Sequence, residues 1–183
     1  MQRLSSCVRD TLILPPGRYA HARRGQHASV TRPMVLAARE PGSVVLDGAL
    51  PDRARGGVFF RSHPHERQSN MPLQGALRLE NITVSSTGIG VSSPYGTPGL
   101  RTDGPGAVLE LVNVNVTGAI ADTELTATLF SAGTGGAILA TDGSELRLIA
   151  THVYGCSASL QGGGVALHGA ATRARFERSV VAG

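Results

Sequence analysis

Few stretches of this chain carry side chains able to do chemistry, and three stand out by type and spacing. Arg101-Thr-Asp-Gly104 sets a guanidinium close to a carboxylate. Glycoside hydrolysis needs a second carboxylate at a defined distance, and spacing picks out no such partner for Asp103. The segment therefore reads as a glycine-rich surface turn. His63-Pro-His65-Glu66 is the densest group of potential metal ligands. Imidazoles with a carboxylate suit a divalent ion, but no further ligand is identifiable and the proline-containing stretch reads as a solvated loop. Asn81-Ile-Thr83 and Asn115-Val-Thr117 are N-glycosylation sequons, so Asn81 and Asn115 are the acceptor residues to consider. His152 falls at an outward-facing offset and His168 near a turn, and both read as surface residues. Cys7 and Cys156 are too few for a disulfide framework and lack zinc-ligand spacing. Cys156 reads as a small buried hydrophobe.

The composition limits what can position these residues. Of 183 residues, 41% are hydrophobic, 16% charged and 4% aromatic. That is too apolar and too weakly charged for disorder, and aliphatic side chains must build the core. No run approaches the roughly 18 consecutive apolar residues of a membrane-spanning helix. All 17 basic residues are Arg, and the net charge is +4. They are scattered along the chain and not clustered between stacking aromatics, so no nucleic-acid partner is expected. Leu4-Ser-Ser-Cys7 lacks the apolar segment that precedes a lipoprotein cleavage site, and no signal peptide is visible.

Four segments align without gaps: Leu77-Arg-Leu-Glu-Asn-Ile-Thr-Val-Ser-Ser86, Leu109-Glu-Leu-Val-Asn-Val-Asn-Val-Thr-Gly118, Leu146-Arg-Leu-Ile-Ala-Thr-His-Val-Tyr-Gly155 and Ala174-Arg-Phe-Glu-Arg-Ser-Val-Val-Ala-Gly183. The eighth position is Val in all four. Apolar residues at offsets 0 and 2 put two side chains on one face of a short strand. The next inward pair falls at offsets 5 and 7, so parity changes once. A bend between two strands does that while keeping the apolar face inside. Asn81 and Asn113 occupy the bend, where Asn tolerates a left-handed backbone.

A third side is expected from Gly56-Gly57-Val58-Phe59, Gly88-Ile89-Gly90-Val91, Gly135-Gly136-Ala137-Ile138 and Gly162-Gly163-Gly164-Val165. Paired glycines permit positive φ at a sharp corner before a short apolar strand. Residues 10–48 read as one irregular first coil and 56–183 as the repeated coils of a single domain. Units of this kind bury their apolar faces only by stacking, which predicts an all-β solenoid of about five coils. Three insertions, Arg61–Gly75, Ser92–Gly106 and Ala119–Thr134, interrupt it. The first two are expected to leave from one corner, bringing Tyr95, Arg101 and Asp103 near His63, His65 and Glu66 as a loop-borne binding surface. No capping segment is visible, so the chain reads as part of a longer solenoid able to pair end to end.

These residues resemble the right-handed parallel β-helix proteins of the pectin-lyase-like superfamily. The stretches LILPPGRY and RPMVLAAREPGSVVLDG are similar to the opening coil of that fold. GGAILATDGSELRLIATHVYGCSAS followed by GGGVALHG is similar to the Gly-Gly-Ala-Ile repeat of polymorphic outer membrane protein passengers. The resemblance implies a right-handed, single-stranded β-helix, secreted or displayed on a cell surface, with adhesion among its roles. It leads to the expectation of a non-catalytic scaffold whose loops bind a glycan or a cell-surface protein, with no cofactor. Other members of the fold cleave or epimerise acidic polysaccharides with carboxylates, calcium and an Arg or His. Arg101-Thr-Asp-Gly104 resembles the Asn-Thr-Asp-Gly strip of polygalacturonases. Under that alternative, Asp103 and Arg101 would be catalytic, His63 and His65 would assist, and calcium would be the cofactor.

Overall fold

A computed structural model describes residues 10–20, 28–30, 32–48, 60–62, 75–85, 100–121, 136–158 and 162–182. The chain returns repeatedly to the same three sheets. The first pass comprises β1 (Asp10–Leu14), β2 (Gly17–Ala20) and β3 (Ala28–Val30). The second comprises β4 (Met34–Ala38), β5 (Val44–Asp47) and β6 (Phe60–Ser62), and the third β7 (Ala76–Glu80), β8 (Ile82–Ser85) and β9 (Leu100–Asp103). The fourth runs through β10 (Val108–Val112), β11 (Asn115–Thr117), β12 (Ile120–Ala121) and β13 (Ile138–Thr141). The fifth has β14 (Glu145–Ile149), β15 (His152–Tyr154), β16 (Ser157–Ala158) and β17 (Val165–His168), and the last β18 (Arg173–Glu177) and β19 (Val180–Val181).

Every ladder is parallel. Sheet A orders β1-β4-β7-β10-β14-β18, sheet B β2-β5-β8-β11-β15-β19 and sheet C β3-β6-β9-β13-β17, with β12 and β16 forming a short fourth ladder. Five three-sided passes are thus followed by the two strands of a sixth, against the expectation of about five coils. Residues 10–48, expected as one coil, hold the first pass and two strands of the second: Asp10–Leu14 pairs residue for residue with Met34–Ala38. Thr11 and Val35 are neighbours there, yet the two strands share too little local pattern for alignment.

The four gapless segments stack in register, so Leu79, Leu111, Leu148 and Phe176 are successive neighbours. Leu77, Leu79, Ile82 and Val84 are buried, as are Leu109, Leu111, Val114 and Val116, and these rows form the core with Leu100, Ile138, Leu146, Leu148 and Val153. Burial of each Leu or Val side chain contributes about 1.5–3 kcal/mol. The parity change sits where the spacing places it. Asn81 (φ 60°) and Asn113 (φ 52°) take left-handed backbone, and Ala150 (φ 49°) and Arg178 (φ 48°) do so at the same offset.

The glycine-rich corner differs from expectation. Of the glycines described there, Gly162 has positive φ (64°), whereas Gly136 serves another purpose. A Cβ on Gly136 would lie 2.1 Å from the carbonyl oxygen of Gly163 and 2.2 Å from that of Ser157. Close approach of three backbones, not left-handed geometry, demands glycine at this site. Gly163 is likewise crowded by the Cys156 carbonyl oxygen, 2.9 Å from an added Cβ. Gly135 lies outside the described residues.

Candidate functional site

Arg101-Thr-Asp-Gly104 is not a surface turn. Leu100–Asp103 is strand β9, held between β6 and β13. It supplies the third-side strand expected from residues 88–91, which lie outside the described residues. Local pattern could not show this, because Leu-Arg-Thr-Asp alternates only one apolar residue with polar ones. Leu100 and Thr102 point inward and are fully buried, and Asp103 on the outer parity is also buried. Arg101 Nε donates to Asp103 Oδ2 at 3.0 Å, with the two side chains 16% and 9% exposed. The carboxylate is thus tied to a guanidinium two residues away on its own strand, which neutralises it where burial would otherwise disfavour charge.

Register carries the row beyond Asp103 to Thr141 and then His168. Thr141 is buried and His168 is exposed. The hydroxyl oxygens of Thr102 and Thr141 are buried without a hydrogen-bond partner. Leu139, the register neighbour of Arg101, is fully buried although it shares the outer parity. The outer face of sheet C is therefore covered around Asp103. Among the described residues no three His, Cys, Asp or Glu side chains gather in a way that could hold a metal ion.

His63, His65, Glu66 and Tyr95 lie outside the described residues. The strands flanking them correct one expectation about their segments. Residues 63–74 follow β6 and lead from sheet C to sheet A, whereas residues 86–99 follow β8 and lead from sheet B to sheet C. The two do not leave from the same corner. The connections that lead into sheet C vary in length: 21–27, 48–59 and 86–99 follow sheet B, and 122–137 and 159–164 follow the short β12–β16 ladder. Those between sheets A and B stay short in every pass, down to Asn81 alone between β7 and β8.

The two sequons sit differently. Asn115 and Thr117 share the outer parity of β11, with Asn115 exposed. Asn81 is engaged at the corner: its Nδ2 donates to the Ala38 carbonyl at 3.1 Å, and its Oδ1 accepts from Asn113 Nδ2 at 2.8 Å. His152 is exposed and outward, in register with Asn115. Cys156 is buried in the core cluster. Burial pushes its thiol up from the ordinary cysteine range, against the backbone hydrogen bonds around it. Such a thiol is inert as a nucleophile.

The outer face of sheet A is given over to ion pairs. Arg78 Nη1 donates to Glu110 at 3.0 Å, and Arg147 Nε to Glu145 at 2.7 Å. Arg175 pairs with Glu177, and Arg78 also with Glu80 at 3.2 Å. Among the described residues no helix is long and apolar enough to cross a membrane, which leaves membrane β-barrels unaddressed. No family model, no curated protein and no solved structure matches the chain.

Proposed function

We propose that the chain is a right-handed parallel β-helix of the pectin-lyase-like kind, acting as a non-catalytic scaffold that is secreted or displayed on a cell surface. Its partner is a glycan or a cell-surface protein, held along the edge between sheets B and C. One observation carries the reading: three of the four longest connections, residues 48–59, 86–99 and 122–137, lead into sheet C in successive passes. In a stacked-repeat architecture, insertions gathered on one side build the binding face, while short corners such as those between sheets A and B keep the stack rigid. The test is retention on glycan and cell-surface arrays, with residues 86–99 and 122–135 each exchanged for a short Gly-Ser linker. Retention by the unaltered chain and its loss in the exchanged chains, with the β-sheet circular dichroism signal kept, is the expected result. Equal retention by all three overturns the edge as the binding face.

A second reading, a lyase, hydrolase or epimerase acting on acidic polysaccharides, draws on Asp103 beside Arg101 on the outer parity of sheet C. Calcium would be its cofactor. Incubation with polygalacturonate and alginate, with and without calcium, distinguishes the two by unsaturated-product absorbance and reducing ends. No turnover is expected. Turnover that disappears in Asp103→Asn would establish the second reading.

A further inference from the structure

The outer faces of the three sheets differ in what they leave free. On sheet A the polar side chains are taken up in ion pairs, such as Arg78 with Glu110 and Arg147 with Glu145. On sheet C Leu139 and Asp103 are buried although they share the outer parity. Sheet B is open. Across its central strands β8, β11 and β15, register sets Thr83, Asn115 and His152 in one outward row. Ser85, Thr117 and Tyr154 form the other. Asn115, His152 and Tyr154 are exposed, and Thr83 and Thr117 are half-buried. Among the described residues, none of these five side chains takes part in a hydrogen bond or ion pair. Similar residues at the corner are all engaged: Asn81, Asn113, Thr151 and Ser179 each hold backbone or one another. Charge enters the two rows only on β5 and β2, where Asp47 pairs with Arg18 and accepts from Ser85 Oγ at 3.4 Å.

The chemistry of this array selects what it can hold. Guanidinium groups only donate and carboxylates only accept, whereas carboxamide, neutral imidazole and hydroxyl groups do both. A sugar hydroxyl also does both and requires no charge opposite it. Tyr154 adds a flat ring, apolar in its body and polar at its tip, and Tyr provides contact area at small entropic cost. Neighbouring strands lie about 4.8 Å apart, close to the rise of one sugar unit in an extended β-linked chain. Thr83, Asn115 and His152 therefore repeat in step with successive sugars. An acidic polysaccharide would find no arginine opposite its carboxylates on these three strands. A protein partner would bring an apolar centre to bury, and Tyr154 is the one large apolar side chain in the two rows there.

We propose that the outer face of sheet B, over β8, β11 and β15, binds an uncharged β-linked glycan running across the strands. Tyr154 stacks on a sugar ring, and Asn115, Thr117 and His152 hydrogen-bond to its hydroxyls. The face is separate from the edge that leads into sheet C, so the inference stands whether or not that edge binds a partner.

Titration calorimetry with cello-, xylo- and manno-oligosaccharides tests it, with oligogalacturonate as the charged control. The chain is made in a bacterial host, so that the Asn115 sequon stays unmodified. At least one neutral oligosaccharide is expected to bind more tightly than the control. Tyr154→Ala and His152→Ala, exposed changes checked for β-sheet circular dichroism, should each weaken binding about tenfold, while Tyr154→Phe keeps most of it. Exchange of residues 86–99 for a Gly-Ser linker should leave the affinity unchanged. No neutral oligosaccharide bound, tighter binding of oligogalacturonate, or an affinity untouched by both alanine variants would each overturn the proposal. Binding lost in the linker exchange but kept in the alanine variants would assign the glycan to the edge instead and also overturn it.

Discussion

The corner between sheets A and B is solved in two chemically different ways. At Asn81 and Asn113 the carboxamides form a short ladder that ends on the Ala38 carbonyl. At Ala150 and Arg178 there is no such side chain, and left-handed backbone costs roughly 1–2 kcal/mol at each residue. The following residue compensates. Thr151 Oγ1 lies 3.1 Å from the carbonyl oxygens of Leu111 and Ile149, and it accepts from the Val114 N–H at 3.4 Å. Ser179 Oγ donates to the Glu177 carbonyl at 2.9 Å and accepts from the Thr151 N–H at 3.1 Å. Thr151 occupies the inward column held by Ile82 and Val114 in earlier passes, so pattern alone favours Val there. Thr151→Val is expected to destabilise the chain by about 1–3 kcal/mol, because it strips a buried hydroxyl from this backbone network. The urea midpoint of the variant measures it, and a midpoint at or above that of the parent refutes the account.

At the scale of an element, sheet A keeps its register by charge as well as by apolar alternation. Arg78, Glu110, Arg147 and Arg175 are successive neighbours in one outer row. Glu110 lies between Arg78 at 3.0 Å and Arg147 at 3.9 Å. A slip of one residue would turn these charges inward and the leucines outward. The hydrogen bond from Arg147 holds the Glu145 carboxyl below its ordinary value of 4.5, outweighing the opposing effect of burial. A depressed acid contributes stability that is present above its unfolded-state value and lost as pH falls through the folded one. With the Glu145 side chain 38% exposed, solvent screening limits the effect, and the gain is about 0.2–1 kcal/mol. Glu145→Gln is expected to lower stability by that amount near neutrality and to match the parent in strong acid. Denaturant titrations at the two pH values check it, and a constant difference would assign the loss to packing.

Across the whole molecule, the cost of a cavity should follow position in the stack. Each pass contacts its neighbours on either side, so a middle position of an interior row is sealed more fully than one on an outermost described strand. Leu111 is fully buried with Leu79 and Leu148 on either side, while Leu12, in the same row, is more than half exposed. Leu111→Ala is expected to cost about 2–5 kcal/mol. Leu12→Ala has far less contact to lose and should cost under about 1 kcal/mol. Thermal or urea unfolding at dilution gives both values, and equal losses would contradict this dependence on position. The same gradient makes amides of the central strands the slowest to exchange.

Much of this architecture was legible in the residues themselves. Apolar side chains at offsets 0, 2, 5 and 7 determine two strands, the bend between them and the side each face turns to, because alternation and its single interruption are properties of neighbouring residues. Stacking of the four segments follows, since Leu79, Leu111 and Leu148 can be buried only against one another. The tertiary structure decided what depends on the strand next door. Leu100-Arg-Thr-Asp103 has too little pattern to declare itself a strand, and it becomes one because β6 and β13 offer their edges on either side. Burial of Asp103, the need for glycine at 136, the hydroxyl-supported corners at Ala150 and Arg178, and the second pass begun within residues 10–48 share that origin. Each arises from contact between residues distant in the chain, and such contacts leave no trace in local spacing.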